Sequence, residues 1–401
     1  MADLFDKFDP MIKARDALGF EAASPIDVVM EEILSPTEAV IKGQRTILAG
    51  TNNYLGLTFD PRCVRAAHEA LDAAGTGTTG SRVLNGTYSG HKALEAAIAG
   101  LYGTEHCLVF STGFLANLAS IGTLAGKDDV IVIDADSHAS IYDACTMSGA
   151  TIVRFKHNDP DDLDKRLRRL GGDARVLVVI EGLYSMLGDK APMRELVEVK
   201  NCHGAALMVD EAHSIGVFGE TGCGVAQEAG VMDQVEFMVG TFSKSVGTIG
   251  GYCVSNHPKF EILRLAARPY MFTASLPPSV VASALKAVEI LGSEPQHRQK
   301  LWRNARQLHE GLSAAGFSLG APASPVVAVK IPERATAVRL WEQLLQNGVY
   351  VNLAMPPATP QGLNLLRCSL SAAHTPEQVS TIVETFTRLA RSNSVLAGSA
   401  A

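Results

Sequence analysis

Lys244 sits directly after a short apolar run, among hydroxyls and glycines: Thr241-Phe242-Ser243-Lys244-Ser245, then Gly247, Gly250 and Gly251. A lysine so placed is partly desolvated, which lowers its pKa and supplies the neutral amine that a Schiff base needs. Alone, the same segment reads more readily as a polar loop with a surface lysine. Upstream, Asp210-Glu211-Ala212-His213 also follows an apolar run. A buried carboxylate is costly unless a cation meets it. A protonated pyridine nitrogen is such a cation, and keeping it protonated makes the ring an electron sink. The plainer alternatives are Asp210 as a structural acid and His213 as a satisfied core histidine rather than a donor to the ring's phenolic oxygen. A third segment, Ser111-Thr112-Gly113-Phe114, opens a helical stretch. N–H groups at a helix start with hydroxyls beside them form a phosphate site. An imine-forming amine, an acid for a ring nitrogen and a phosphate cradle together describe a site for pyridoxal 5'-phosphate.

Those residues have to be gathered by something, and the text between them says what. Short apolar runs, each ending on a polar or small residue, recur at 107–110, 130–133, 176–180, 205–209 and 237–239. They are continuous rather than alternating, so both faces of each strand are covered, as in a parallel sheet with crossover helices. Ligands of such sheets lie beyond the carboxyl ends of the strands, where Thr112, Asp134, Glu181, Asp210 and Thr241 stand. The expected fold class is therefore α/β, with a mainly parallel central sheet in a large domain. After about residue 290 the texture changes. Helical text at 296–315 is followed by strand-like 325–331, a helix near 335–346 and strand-like 363–370. A last helix opens on Thr375 as N-cap, with Pro376 next and Gln378 completing a capping box. The expected organisation is an N-terminal arm at 1–50, a large domain at 51–290 and a smaller C-terminal α/β domain at 291–401, frayed from 392.

Composition narrows the function classes. The 401 residues are 47% apolar and 19% charged, with a formal net charge of −7. That suits a well-buried globular protein and shows no basic footprint for nucleic acid. No apolar run approaches the ~20 residues of a spanning helix, and the first ten residues carry no secretory signal. The seven cysteines are scattered and never spaced as Cys-x-x-Cys, which fits reduced thiols in the cytoplasm and no metal framework. Cys202-His203 and Asp134-x-Asp136-x-His138 lack a second cluster at ligand spacing, so no metal is expected. Gly75-Thr76-Gly77-Thr78-Thr79-Gly80 matches a dinucleotide fingerprint, but that pattern requires a preceding strand. Residues 64–74 are alanine-rich and helical in character instead.

Read together, Val209-Asp210-Glu211-Ala212-His213-Ser214 and Gly240-Thr241-Phe242-Ser243-Lys244-Ser245 with Gly250-Gly251 resemble the α-oxoamine synthases, fold type I pyridoxal-phosphate enzymes (aspartate aminotransferase-like). Further matches run along the chain: Asn52-Asn53-Tyr54-Leu55-Gly56-Leu57, Gly80-Ser81-Arg82, Asp136-Ser137-His138-Ala139-Ser140, Glu181-Gly182-Leu183-Tyr184-Ser185-Met186, and Arg367 before His374-Thr375-Pro376. The resemblance implies that Lys244 binds the cofactor covalently, Asp210 meets the pyridine nitrogen, and His213 and Ser185 serve the phenolic oxygen. His138 is implied to stack on the ring and to touch the substrate carboxylate, with Asn53 and Arg367 facing the same group. Gly113, Phe114, Thr241 and Ser243 are implied to hold the phosphate, with Thr273 reaching in from the second subunit of a homodimer.

Family members condense an amino acid with an acyl thioester and lose carbon dioxide. The stretches Ser35-Pro36-Thr37-Glu38-Ala39-Val40, Arg268-Pro269-Tyr270-Met271-Phe272-Thr273 and Pro356-Pro357-Ala358-Thr359-Pro360 resemble bacterial members that use L-serine. Their other substrate is palmitoyl-CoA or a similar long acyl donor, a CoA ester or an acyl carrier protein, and their product is 3-oxosphinganine. Two departures stand out. Phe114 occupies a position where relatives often carry Tyr, and Met355 one where serine-using members carry Arg, leaving Arg367 for the carboxylate. Within the family the alternatives are 8-amino-7-oxononanoate synthase, glycine acetyltransferase and 5-aminolevulinate synthase. Outside it the alternative is a non-catalytic subunit, against which Lys244 and Asp210 both speak. Residues 259–268 mix cations with Phe260, Ile262, Leu263 and Leu265, a candidate for weak peripheral membrane contact.

Overall fold

A computed structural model describes residues 3–17, 20, 24–172 and 174–393. The chain divides into two compact units, Asn52–Ser185 with Asp189–Leu301, and Met1–Thr51 with Met186–Gly188 and Trp302–Ala401. The expected frayed tail falls almost wholly outside the described residues, and Ser392 itself still closes a helix.

In the second of these units, strands β1 (Glu32–Ser35), β2 (Glu38–Ile41) and β3 (Gln44–Leu48) form an antiparallel meander.

The larger unit is built on seven strands: β4 (His106–Phe110), β5 (Val130–Asp134), β6 (Thr151–Phe155), β7 (Val176–Glu181), β8 (Ala206–Asp210), β9 (Phe237–Thr241) and β10 (Gly251–Ser255). Their order is β4-β10-β9-β8-β7-β5-β6. Neighbouring strands from β9 to β6 pair in parallel, whereas β10 runs antiparallel to both of its neighbours. Residues inside β5, β7 and β8, such as Ile131, Val179 and Met208, are fully buried, as the continuous apolar runs require. Helix Gly113–Leu124 packs beside helix Ala139–Ser148 on this sheet. Their approach is close enough that a Cβ on Gly122 would lie 2.5 Å from the Met147 side chain. Residues 64–74, read above as helical, lie within helix Pro61–Ala74, so the glycine run that follows has no strand before it.

Residues 259–268 are only partly exposed. Phe260 and Leu263 belong to the core, while Ile262 and Leu265 face outward. Among the described residues no helix is long and apolar enough to cross a membrane.

The other unit continues with β11 (Val326–Ile331), β12 (Val349–Tyr350), β13 (Asn352–Ala354) and β14 (Asn364–Ser369). β12 adds to β3 in parallel, and β14 lies between β11 and β13 in an antiparallel sheet. Helix Arg334–Gln346 anchors this unit through Trp341, which is 1% exposed and donates its indole N–H to the Val351 carbonyl at 2.9 Å. The last helix, Pro376–Ser392, opens with the expected reciprocal Thr375–Gln378 capping box.

Candidate active site

Parallel pairing places the carboxyl ends of β5, β7, β8 and β9 side by side, and their last residues are Asp134, Glu181, Asp210 and Thr241. A cavity of about 300 Å³ opens at three of these ends and at the start of helix Gly113–Leu124. Its lining includes Gly113, Phe114, Asn117, His138, Ser140, Glu181, Asp210, His213, Thr241, Ser243 and Lys244.

Each wall has a local cause. Thr112 caps its helix by accepting from the Leu115 N–H at 3.0 Å, and the Ala116 N–H reaches the Thr112 carbonyl. The helical pattern leaves the N–H groups of Gly113 and Phe114 without an intrahelical acceptor, as at helix starts that bind anions. A Cβ on Gly113 would lie 2.8 Å from Thr241, so only glycine lets the helix start approach β9 this closely. Thr241 Oγ1 is held by the Gly250 carbonyl at 2.9 Å and by Ser243 Oγ at 2.8 Å. Two hydroxyls and two N–H groups therefore stand together at one wall.

Asp210 is 5% exposed. Its Oδ1 accepts from the Ala212 N–H at 2.9 Å and its Oδ2 from the Asn117 amide at 2.7 Å. Glu211 turns away from the cavity and accepts from the Val225 and Ala226 N–H groups and the Ser214 hydroxyl. Burial pushes the Glu211 carboxyl up to about 7. His213 shares a 2.8 Å hydrogen bond between its Nδ1 and the hydroxyl of fully buried Tyr54.

His138 is the N-cap of helix Ala139–Ser148. Its own N–H donates to Glu181 Oε1 at 2.6 Å, and the Phe114 ring meets its imidazole edge-on with centroids 6.5 Å apart. Burial lowers the His138 pKa, Asp210 opposes that shift and Lys244 reinforces it. Burial raises the Glu181 carboxyl well above its ordinary range, and neighbouring Asp210 adds to it.

The fold thus gathers Gly113, Phe114, His138, Asp210, His213, Thr241, Ser243 and Lys244 around one cavity. Asn53, Ser185 and Thr273 lie in the same unit outside that lining. The Asn53 amide donates to Thr58 Oγ1 at 2.7 Å, and Thr273 lines a small hollow with Arg82, Ser111 and Tyr270. Arg367 belongs to the other unit, on β14, and is 6% exposed. Sequence reasoning did not assign site roles to Asn117, Ser140, Glu181 or Tyr54. Asn117 had one usable signal, since it falls one helical turn after Gly113 and so shares its face.

The residues present fit pyridoxal phosphate: a lysine in the lining, a buried acid held by two donors, and a cradle of N–H and hydroxyl groups beside a glycine that admits no Cβ. Comparison with known proteins agrees. Residues 45–386 match the family model for aminotransferase class I and II. A serine palmitoyltransferase of Sphingomonas paucimobilis is 54% identical over 98% of this chain and 94% of its own length. The solved serine palmitoyltransferase of Sphingomonas wittichii superposes with a TM-score of 0.97 at 57% identity, covering 98% of this chain and all (100%) of that one. Another solved serine palmitoyltransferase, described as carrying a pyridoxal-phosphate internal aldimine, gives 0.97 at 54% identity, with 98% and 100% covered. The chain belongs to the class I and II aminotransferase family, as a fold type I pyridoxal-phosphate enzyme of the α-oxoamine synthase group.

Proposed function

We propose that this enzyme condenses L-serine with a long-chain acyl thioester, palmitoyl-CoA or its equivalent, to give 3-oxosphinganine, free thiol carrier and carbon dioxide. The observation that carries this reading is the convergence of Lys244, Asp210, His138 and His213 on one cavity, in a chain so similar over its length to serine palmitoyltransferases.

Pyridoxal phosphate, when bound, supplies an electron sink for the pair left at the amino acid's α-carbon. Lys244 holds the cofactor at rest. Its Nζ, when free of the cofactor, would stand ready to remove the α-proton of bound serine. Asp210, kept in place by Asn117 and Ala212, holds the ring nitrogen protonated. Gly113, Phe114, Thr241 and Ser243 receive the phosphate, and His213 and Ser185 serve the phenolic oxygen. His138 would cover the cofactor and hold the serine carboxylate together with Asn53, so that proton loss precedes decarboxylation. The pair at the α-carbon would then attack the thioester carbonyl and expel the thiolate, which takes a proton from solvent. Loss of carbon dioxide from the β-keto acid leaves a new pair at the α-carbon, to which Lys244 Nζ would return the proton it removed.

The working form is a cytoplasmic homodimer in which Thr273 serves the neighbouring subunit's site. Sedimentation and mixing of Lys244→Ala with Thr273→Ala subunits test this: restored activity in the mixture supports a shared site. Exposed Ile262 and Leu265 are the residues to change if the protein floats with anionic vesicles.

The decisive experiment is a visible spectrum of the purified protein during serine titration, with a panel of serine, alanine and glycine against several acyl-CoA lengths. A serine-dependent spectral change with preference for serine is expected. Clear preference for glycine overturns the substrate assignment, and borohydride treatment that leaves Lys244 unlabelled overturns the cofactor attachment.

A further inference from the structure

Two polar residues of the cavity are deeply buried: Asn117, which steadies Asp210, and Ser140, which the reaction as outlined does not use, at 2% and 1% exposure. We infer that they are positioning residues that fix the tautomer of His138, so that its imidazole carries its proton on Nε2 and meets the substrate as a hydrogen-bond donor. The inference deepens the proposed function and rests on it for the identity of the acceptor.

A carboxylate accepts and does not donate. Asp210 Oδ2, 2.7 Å from Asn117 Nδ2, therefore orients the amide. The reverse orientation would set two acceptors against each other in a buried place. The second hydrogen of that NH₂ goes to Ser140 Oγ at 2.9 Å. Asn117 accepts this arrangement although its Oδ1 is then buried without a hydrogen bond. Because Ser140 Oγ receives from Asn117, its own O–H is left to donate, and its neighbour at 2.8 Å is His138 Nδ1. The Ser140 backbone N–H approaches the same nitrogen at 3.2 Å, the ordinary N-cap contact of this helix. Two donors converge on Nδ1, so Nδ1 is an acceptor and the ring proton resides on Nε2.

The chemical consequence is a division of labour. A neutral imidazole with Nε2–H can hold a carboxylate or carbonyl oxygen without pairing it as an imidazolium would. It has no lone pair at Nε2 with which to take a proton, so in this form His138 is a donor rather than a base. Proton removal falls to Lys244. Asp210 takes part in both tasks, since the same amide that steadies it also orders Ser140.

The experiment is NMR of the holoenzyme labelled with ¹⁵N in its histidine rings, with His138 identified by its loss in His138→Gln. An unprotonated Nδ1 and a protonated Nε2 are expected near neutral pH. Ser140→Ala should shift both nitrogens toward tautomer averaging and lower kcat/KM by about tenfold, roughly one hydrogen bond's worth. Ser140→Thr should restore both, and Asn117→Ala should produce the same averaging by releasing the hydroxyl. A proton on Nδ1 in the unmodified enzyme, or ring shifts unmoved by Ser140→Ala, overturns the inference. These readouts do not depend on which amino acid is condensed, whereas borohydride labelling at Lys244 and the substrate panel test the underlying reading separately.

Discussion

Glu181 and Asp210 are register partners at the carboxyl ends of adjacent parallel strands, so two buried carboxyl groups share one end of the sheet. Asp210 is held by two donors, whereas Glu181 accepts from the His138 N–H and is driven toward its protonated form by burial and by Asp210. Like charges this close cannot both be ionised cheaply, and Glu181, buried with a single donor, is the one pushed toward its neutral form.

Replacing Glu181 should therefore depend on shape more than on charge. Glu181→Gln keeps an acceptor for the His138 N–H and should leave kcat/KM within about threefold. Glu181→Leu strands that N–H and should cost about 1–3 kcal/mol of stability, together with weaker cofactor retention. Thermal unfolding and cofactor titration followed by visible absorbance separate the two.

Gly113→Ala tests the wall proposed to receive the phosphate. The added Cβ would meet Thr241 at 2.8 Å, and Thr241 cannot yield without breaking its bonds to Gly250 and Ser243. Cofactor affinity should fall by about tenfold, which is about 1.4 kcal/mol. Far-ultraviolet circular dichroism should stay unchanged.

His157 gives the clearest pH dependence. Its Nδ1 lies 2.8 Å from Asp134 and its Nε2 2.6 Å from Asp189. Burial lowers its pKa, but the two carboxylates outweigh that and push it up to about 10. Because the folded value exceeds the unfolded one of about 6.5, the stabilisation is complete below pH ~6.5 and is lost as pH rises through about 10. Urea midpoints measured from pH 6 to pH 10 should decline in the native enzyme and flatten in His157→Gln.

Glu95 joins Arg82 at 2.8 Å and Arg264 at 3.0 Å, with its side chain 6% exposed. Glu95→Ala leaves both guanidinium groups without this carboxylate and should destabilise the protein by about 3–5 kcal/mol. Chemical denaturation measures it. A loss under 1 kcal/mol would mean that water or Glu261 replaces the missing carboxylate.

Much of the larger unit was legible because its strands are covered on both faces, so that Val176–Glu181 and Ala206–Asp210 appear as unbroken apolar runs ending in acids. That those ends share one crevice followed from strand direction. β10 escaped because Gly251–Ser255 follows a glycine-rich loop and carries no apolar run long enough to read as a strand. The pairing of β3 with β12 escaped for another reason: it joins residues 47–48 to 349–350 through only two register pairs, and nothing local records such a partnership. Asn117 and Ser140 were invisible as site residues because uncharged polar residues in helices usually cap or face solvent. Their importance lies in whom they touch.

The return of β10 beside β9 has a mechanical consequence. Thr241 and Gly251 face each other in register, Phe242 N–H bonds the Gly250 carbonyl, and Gly247 N–H bonds the Lys244 carbonyl. The segment bearing Lys244 is stitched shut at both ends like a buckle. With its backbone pinned in this way, the reach of the Lys244 nitrogen is set by the swing of its own four-carbon tether.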